Sequence, residues 1–405
     1  MNRNDARVHR PPRERSQNGQ TDGTEYFGAT MIEEKPEDTL RIIGYNVGNF
    51  NAHGSGTKYE RLNEQMNKYS ADIACITETG LAWQNVKIEH ILPEVIKNWW
   101  KNRKAFTAWN KGYFKKSETT TRLPGGVAII LRNEVAGRVH SSGRDPTGLG
   151  RWVWVRLRGY DNRMTTIVSA YRPCYNIVDD NSTYAQHLHY CDMRRPRPIL
   201  TCPRDNFMKE LAVDLAKFYD QGDQIHMTMD TNEKNLYKLD NPIENILRPI
   251  SMIEVILHQH PRHDAPPTHN RGSRPIDGMF TTPLMHDHPC GYLRFEDGIG
   301  DHRPTWQDVR ATEIFGLPVR QAFVAPKARR LQCRDPRTMK KYQDVYYGFV
   351  KKHKLFERAC NLEAGYSVPL TDAQAREWIE IDNLRFAGML QAEKKCRTLK
   401  FGLLE

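Results

Sequence analysis

Along this chain the spacing of hydrophobic positions switches repeatedly between two and about three and a half residues. "TLRIIGYNV" is β-branched and apolar, which predicts a strand. In "KYERLNEQMNKYS", Leu62, Met66 and Tyr69 recur at helical spacing. "ADIACIT" is a short continuous apolar run, the pattern of a buried strand. "EHILPEVIKNWW" sets Ile91, Val95 and Trp99 on one helical face. "GGVAIILR", "RWVWVRLR" and "MTTIVSAY" predict three strands separated by polar turns. "PRDNFMKELAVDLAKFYDQG" is the clearest helix: Pro203 suits its first turn, Gly222 its end, and Phe207, Leu211, Leu215 and Phe218 form a stripe. "QIHMTMD" alternates Ile225, Met227 and Met229 toward one face, and "RPIDGMF" and "PTWQDV" predict two later strands. Strands mixed with helices in this order predict a mixed-sheet α/β domain over 39–310.

The flanks differ. Residues 1–38 lack hydrophobic periodicity and are rich in Arg, Pro, Gly and Asn, which predicts a disordered basic tail able to touch nucleic acid. After Arg310 come eighteen Lys and Arg against eleven Asp and Glu. Residues 311–405 therefore read as a basic extension of two amphipathic helices, "PRTMKKYQDVYYGFVKKHKLFERACNLE" and "TDAQAREWIEIDNLRFAGMLQAEKKCRTLK", broken around Pro369 and Thr371.

Charge narrows the partners. The 405 residues carry a formal net charge of +11, which favours a polyanion: nucleic acid, a phosphoinositide or an acidic surface. No stretch approaches the ~20 apolar residues of a membrane span, and the N-terminus lacks the apolar core of a secretion signal. The eight cysteines are scattered without a CxxC, the usage of a reducing compartment. An intracellular protein is expected, with the nucleus favoured over the cytoplasm. Cys174, His187, His189, Cys191 and Cys202 fall in one segment, but their spacing matches no zinc finger, and a variable loop is expected there.

Polar residues recur where the predicted strands run out, the usual place for chemistry in α/β enzymes. Asn46 follows "RIIGY", Glu78 follows "DIACIT", and Tyr171 ends "TTIVSA". Asp230 and Asn232 follow "IHMTM", Asp277 lies in "RPIDGMF", and Asp301 and His302 precede "RPTW". A strand-end Asn or Asp is by itself most often a turn residue. Eight such residues in sequence order point to one centre.

Those motifs, "YNVGN", "ITET", "GGVAIIL", "SAYRP", "MDTNE", "RPIDGMF" and "GDHRPTW", resemble the successive motifs of the endonuclease/exonuclease/phosphatase superfamily (DNase I-like). The Tyr-Arg-Pro and Asp-His-Arg are most similar to the endonuclease domains of non-LTR (LINE-type) retrotransposons. The resemblance implies a four-layer sandwich of two mixed β-sheets flanked by helices, followed here by the helical extension. It implies a metal-dependent phosphodiester hydrolase, an endonuclease nicking DNA, or less readily RNA, to leave a 3′-hydroxyl and a 5′-phosphate. Mg²⁺, with Mn²⁺ as a substitute, is the implied cofactor, held by Glu78 and Asp301. Asp230 would activate water with Asn232 beside it, His302 would donate to phosphate with Asp277 fixing its tautomer, and Tyr171 and Asn46 would hydrogen-bond the phosphate. Arg172, Arg271, Arg274 and Arg303 are expected to contact the nucleic-acid backbone. A phosphatase on inositol phosphates or phospholipid head groups, or an inactive nucleic-acid-binding module, are the competing readings. The sequence departs from the family pattern at Gly48, Met229, Gly278 and Gly300, where an acid, Gly, Tyr and Ser are usual.

Overall fold

A computed structural model describes residues 25–111, 120–193, 202–316, 335–365 and 371–396. The chain divides into two compact units, residues 1–322 and 323–405. The described strands of the first unit are β1 (Phe27–Gly28), β2 (Thr39–Asn46), β3 (Ile73–Thr77), β4 (Arg103–Ala108), β5 (Val127–Arg132), β6 (Val139–Arg144), β7 (Trp152–Arg158), β8 (Met164–Tyr171), β9 (Gln224–Asp230), β10 (Ile253–Glu254), β11 (Asp277–Thr281), β12 (Cys290–Tyr292) and β13 (Thr305–Arg310). They form a seven-stranded sheet in the order β1-β12-β13-β2-β3-β5-β4 and a six-stranded sheet in the order β10-β11-β9-β8-β7-β6. Both sheets are mixed: β2–β3 and β8–β9 are parallel and their other pairs antiparallel. This is the two-sheet α/β sandwich that the motifs implied.

Period-2 alternation explains the layers. Leu40, Ile42, Ile73, Cys75, Val127, Ile129 and Leu131 share one core with Val155, Ile167 and Met227 of the other sheet. The intervening residues Ile43, Tyr45, Ala74, Ile76, Ala128 and Ile130 belong to a second core, with Tyr59, Leu62 and Met66 of the helix Thr57–Lys68. Successive strand residues face opposite ways, so a sheet covered on both faces reads as a continuous apolar run. The helix Pro203–Tyr219 packs its stripe on the first core.

The sheets approach closely at Gly44. A methyl group there would sit 2.3 Å from Thr228 Cγ2 and 2.4 Å from Thr305 Oγ1. Nearby, Ser169 Oγ donates across the gap to the Ile76 carbonyl at 2.9 Å. Gly44 lies two residues before Asn46, so the narrow gap sits directly behind the ends of β2 and β9.

Several expectations are corrected. Residues 25–38 are built into the fold: β1 pairs with β12, and the buried Arg41 donates to the carbonyls of Ile32 and Glu33 while pairing bidentately with Asp308. The 1–38 segment is also not basic, with six Lys and Arg against eight Asp and Glu; residues 1–24 lie outside the described residues. "EHILPEVIKNWW" is not one helix but short turns, with an α-helical turn only at Leu92–Val95; Pro93 cannot supply an N–H within a longer helix. The expected Cys/His loop contains a helix, Thr183–Met193. The domain runs past residue 310, because Thr165 Oγ1 in β8 donates to the Ile314 carbonyl at 2.9 Å. Strands β4 and β6 carried no clear signal, since "RKAFTA" and "VHSSGR" bury few residues.

The described part of the second unit has three helices, Pro336–Lys352, Leu355–Ala364 and Asp372–Lys395. The first expected helix is split because Lys354 takes a left-handed conformation, φ 52°. The last begins at Thr371, whose side chain and Gln374 form a capping box. Gly388 admits the Phe349 ring, whose Cδ1 would lie 2.7 Å from an added methyl. Arg358 pairs with Glu377 at 2.6 Å. No described helix is long and apolar enough to cross a membrane.

Gly44→Ala is expected to cost about 1–3 kcal/mol of stability, the range for overpacking a tight interior. Urea denaturation followed by tryptophan fluorescence reads this, because seven of the eight Trp fall in the first unit. An unchanged midpoint would show that the sheets can part there at no cost.

Candidate active site

Strand register assembles the site. In the parallel pair β8–β9, Tyr171 stands opposite Asp230. In the antiparallel pair β9–β11, Asp230 stands opposite Asp277. Opposed residues project on the same side of a sheet, so the end of β8, the end of β9 and the start of β11 present their polar residues together. The other sheet contributes Asn46 from the end of β2, and its Nδ2 donates to Asp230 Oδ2 at 3.0 Å. The Gly48 N–H donates to Asn46 Oδ1 at 2.9 Å, which fixes the amide with its nitrogen toward Asp230. The loop before β13 supplies His302, whose Nδ1 meets Asp277 Oδ2 at 2.8 Å. Asp230, Asp277 and His302 are all buried, with their ligand atoms within 4.8 Å of one another.

Charge in this cluster is strongly coupled. Burial, then the Asp277 carboxylate, push the Asp230 carboxyl well above its ordinary range; His302 opposes them and Glu78 adds to them. For His302 burial pulls downward, yet Asp277, by charge and hydrogen bond, with Asp230 and Glu78 behind it, raises the imidazole to about 10. The ring is therefore an imidazolium at neutral pH, with its Nδ1–H on Asp277 and its Nε2–H available. Tyr171 is buried against Glu78 and Asp230; burial and then Glu78 push its hydroxyl well above the usual range, and it hydrogen-bonds Glu78. It is a neutral donor.

A cleft of about 450 Å³ is lined by Glu78, Asn232, Asp301, His302, Arg271 and Arg274, while Asn46, Asp230 and Asp277 line a far smaller cavity. Glu78 adopts φ 53° just beyond β3. Asn232 turns the chain just beyond β9. It takes φ 48°, its backbone N–H donates to Asp230 Oδ1 at 3.1 Å, and its amide nitrogen donates to the Arg172 carbonyl at 2.8 Å. It thus orients Asp230 through its backbone.

The structure joins Asn46, Tyr171, Asp230, Asp277 and His302 at neighbouring strand ends, and Glu78, Asn232, Asp301 and His302 line the cleft with the exposed Arg271 and Arg274. Arg172 and Arg303 are corrections. Arg172 is buried and donates to the Thr231 carbonyl and Glu233 at 3.1 Å each. Arg303 is buried and donates to the carbonyls of Glu25 and Leu293. Both tie loops together beneath the site and cannot reach a nucleic-acid backbone.

The glycine departures have local causes. A methyl on Gly300 would lie 2.7 Å from the Asn46 carbonyl and 3.1 Å from the Gly48 nitrogen, so glycine lets the Asp-His loop lie on the Asn46 turn. Gly278 faces the buried Glu254, whose Cγ would be 3.0 Å from an added methyl. A side chain at Gly48 would run toward Lys58, 3.4 Å from its Nζ. Lys58 was not singled out by sequence. Its ammonium donates to the carbonyls of Val47 and Gly48, and Asp301 and Glu78 act on it electrostatically. Lys58 opens a helix among polar neighbours, and only the absent acid at position 48 hinted that a cation could stand there.

The acidic donor set suits a hard divalent cation. Asp230, Asp277, Glu78 and Asp301 supply carboxylate oxygens, and Asp277 and Glu78 both act on Asp230 as like charges. Carboxylate oxygens are the ligands that hard divalent cations prefer.

No family model matches the chain, and no curated protein matches it. Among solved structures, an AP endonuclease from Leishmania major matches with TM-score 0.46 and 13% identity, over 67% of this chain and 88% of that one. The endonuclease domain of TRAS1, a telomere-specific non-LTR retrotransposon, matches with TM-score 0.40 and 14% identity, over 67% and 98%. The 3′ phosphatase NExo from Neisseria, bound to a product DNA hairpin, matches with TM-score 0.44 and 13% identity, over 66% and 98%.

Proposed function

We propose that the protein is a divalent-metal-dependent endonuclease that nicks DNA by attack of water on phosphorus, leaving a 3′-hydroxyl and a 5′-phosphate. The observation that carries this reading is the buried Asp230–Asp277–His302 cluster, whose His302 lines a cleft that Arg271 and Arg274 also line. A carboxylate fixed by hydrogen bonds within reach of a bound water is placed to act as a general base. Asp230 takes the proton of the attacking water, held in place by Asn46 and the Asn232 N–H. The new oxygen–phosphorus bond forms as the bond from phosphorus to the 3′ oxygen breaks. His302 Nε2–H donates to a phosphate oxygen as negative charge builds there, the role of a preorganised electrostatic donor. Glu78 and Asp301 would hold the cation, which when bound supplies Lewis-acid stabilisation of the phosphate and the leaving oxygen. Arg271 and Arg274 contact the phosphate backbone on the rim. The Tyr-Arg-Pro and Asp-His-Arg motifs support a link to non-LTR retrotransposons, in which the freed 3′ end would prime reverse transcription.

Supercoiled plasmid incubated with the full chain and Mg²⁺ is expected to be nicked, with polymerase-extendable 3′ ends and no nicking in chelator. Asp230→Asn and His302→Ala should each lower the rate about 100- to 10,000-fold, the usual contribution of a positioned acid or base. Intact plasmid together with phosphate release from inositol phosphates would move the assignment to a phosphatase.

The charge state has its own signature in chelator. His302 binds its proton more tightly folded than unfolded, so its contribution to stability is complete below its ordinary pKa of about 6.5 and is lost as pH rises through about 10. Asp230, also raised, works in the same direction. The melting temperature is therefore expected to fall from pH 6 to 10, and Asp277→Asn should move that fall to lower pH. An unshifted profile in Asp277→Asn would contradict the assignment.

A further inference from the structure

Four histidines fall between residues 258 and 269, just before β11, and among them His269 alone lines the cleft. His258 faces His286, His260 bonds the Cys290 carbonyl, and His263 lies near Tyr237. His269 is carried there by backbone pairing. It forms an isolated antiparallel bridge with His302. The Asn270 N–H donates to the Asp301 carbonyl at 3.0 Å, and the Arg303 N–H to the Thr268 carbonyl at 2.7 Å. The His269 ring stands edge-on to His302, 5.0 Å between centroids. Its Nε2 lies 3.3 Å from Asp301 Oδ2.

His269, Asp301 and His302 bring their ligand atoms within 4.8 Å of one another. Such a trio can be a set of metal ligands, or a carboxylate held by an imidazole donor. The second nitrogen of His269 separates the two. The Arg271 backbone N–H donates to His269 Nδ1 at 3.1 Å. A ring nitrogen that accepts carries no proton, so the neutral ring bears its proton on Nε2. That nitrogen has no lone pair for a cation and lies 3.3 Å from Asp301 Oδ2. The other carboxylate oxygen, Oδ1, is turned toward Gly48, 3.7 Å from where its Cβ would be.

We propose that His269 is a positioning residue for the cation site: its Nε2–H holds Asp301 Oδ2 so that Oδ1 is presented as the ligand atom. This rests on the assignment of Asp301 to the cation. Ligating carboxylates are themselves hydrogen-bonded, and loss of such a partner costs about ten- to a hundredfold in metal affinity or activity. The peptide N–H of Arg271 sets the tautomer, so no side-chain partner is needed to keep the donor in place.

The test is direct Mn²⁺ binding to the full chain, with free Mn²⁺ followed by electron paramagnetic resonance. His269→Asn, whose amide reaches only the Nδ1 position, should weaken binding about tenfold or more. His269→Phe, which keeps the bulk of the ring, should repeat that loss. His269→Gln, whose amide nitrogen reaches the Nε2 position, should bind as the native protein does. In an Asp301→Asn background, His269→Asn should add nothing. Equal losses in the Gln and Asn variants would assign the ring as a direct ligand and overturn the proposal, as would native binding by the Asn variant or additive losses with Asp301→Asn. Native protein that binds no Mn²⁺ would overturn the metal-dependent reading itself, and this inference with it.

Discussion

The structure turns on one contact: the His302 imidazole, held by Asp277 at 2.8 Å beside a second buried carboxyl, Asp230. Three titratable groups in so little space would repel or neutralise one another in an apolar interior. They persist because each has a fixed partner. Asp277 bonds His302, Asp230 accepts from Asn46 and the Asn232 N–H, and Asn46 is itself held by the Gly48 N–H. The cluster therefore depends on the gap between the sheets. Asn46 belongs to one sheet and Asp230 to the other, and Gly44 lets the two layers approach closely behind them.

Buried arginines serve as fasteners around this joint. Arg41 holds the 25–38 segment, Arg172 the turn after β9, and Arg303 the base of the Asp-His loop. A buried guanidinium is tolerated where its donors meet carbonyls and carboxylates. The cation-rich rim is correspondingly narrower than the residue count implies. Arg271 and Arg274 remain outside, on the same loop as His269.

Much of this could be read from residue order. Continuous apolar runs gave β2, β3 and β5, the 3.6-residue stripe gave the helix Pro203–Tyr219, and polar residues at strand ends gave the site. What spacing could not convey is neighbourhood. That β11 runs antiparallel to β9, placing Asp277 against Asp230, is a matter of topology. Arg172 and Arg303 look like Arg271 and Arg274 in sequence, because a guanidinium bonded to internal carbonyls leaves no local mark. Lys58 and His269 matter through contacts with loops far away along the chain, and short strands such as β1 carry too few residues to show a period.

The charge of His302 is the most exposed point of this account. Nitrogen-15 NMR of the imidazole in the metal-free chain at pH 8 reads it directly. Two protonated ring nitrogens, with the Nδ1 proton shifted far downfield by its bond to Asp277, are the predicted result. A neutral ring that titrates near the ordinary histidine pKa of about 6.5 would contradict it.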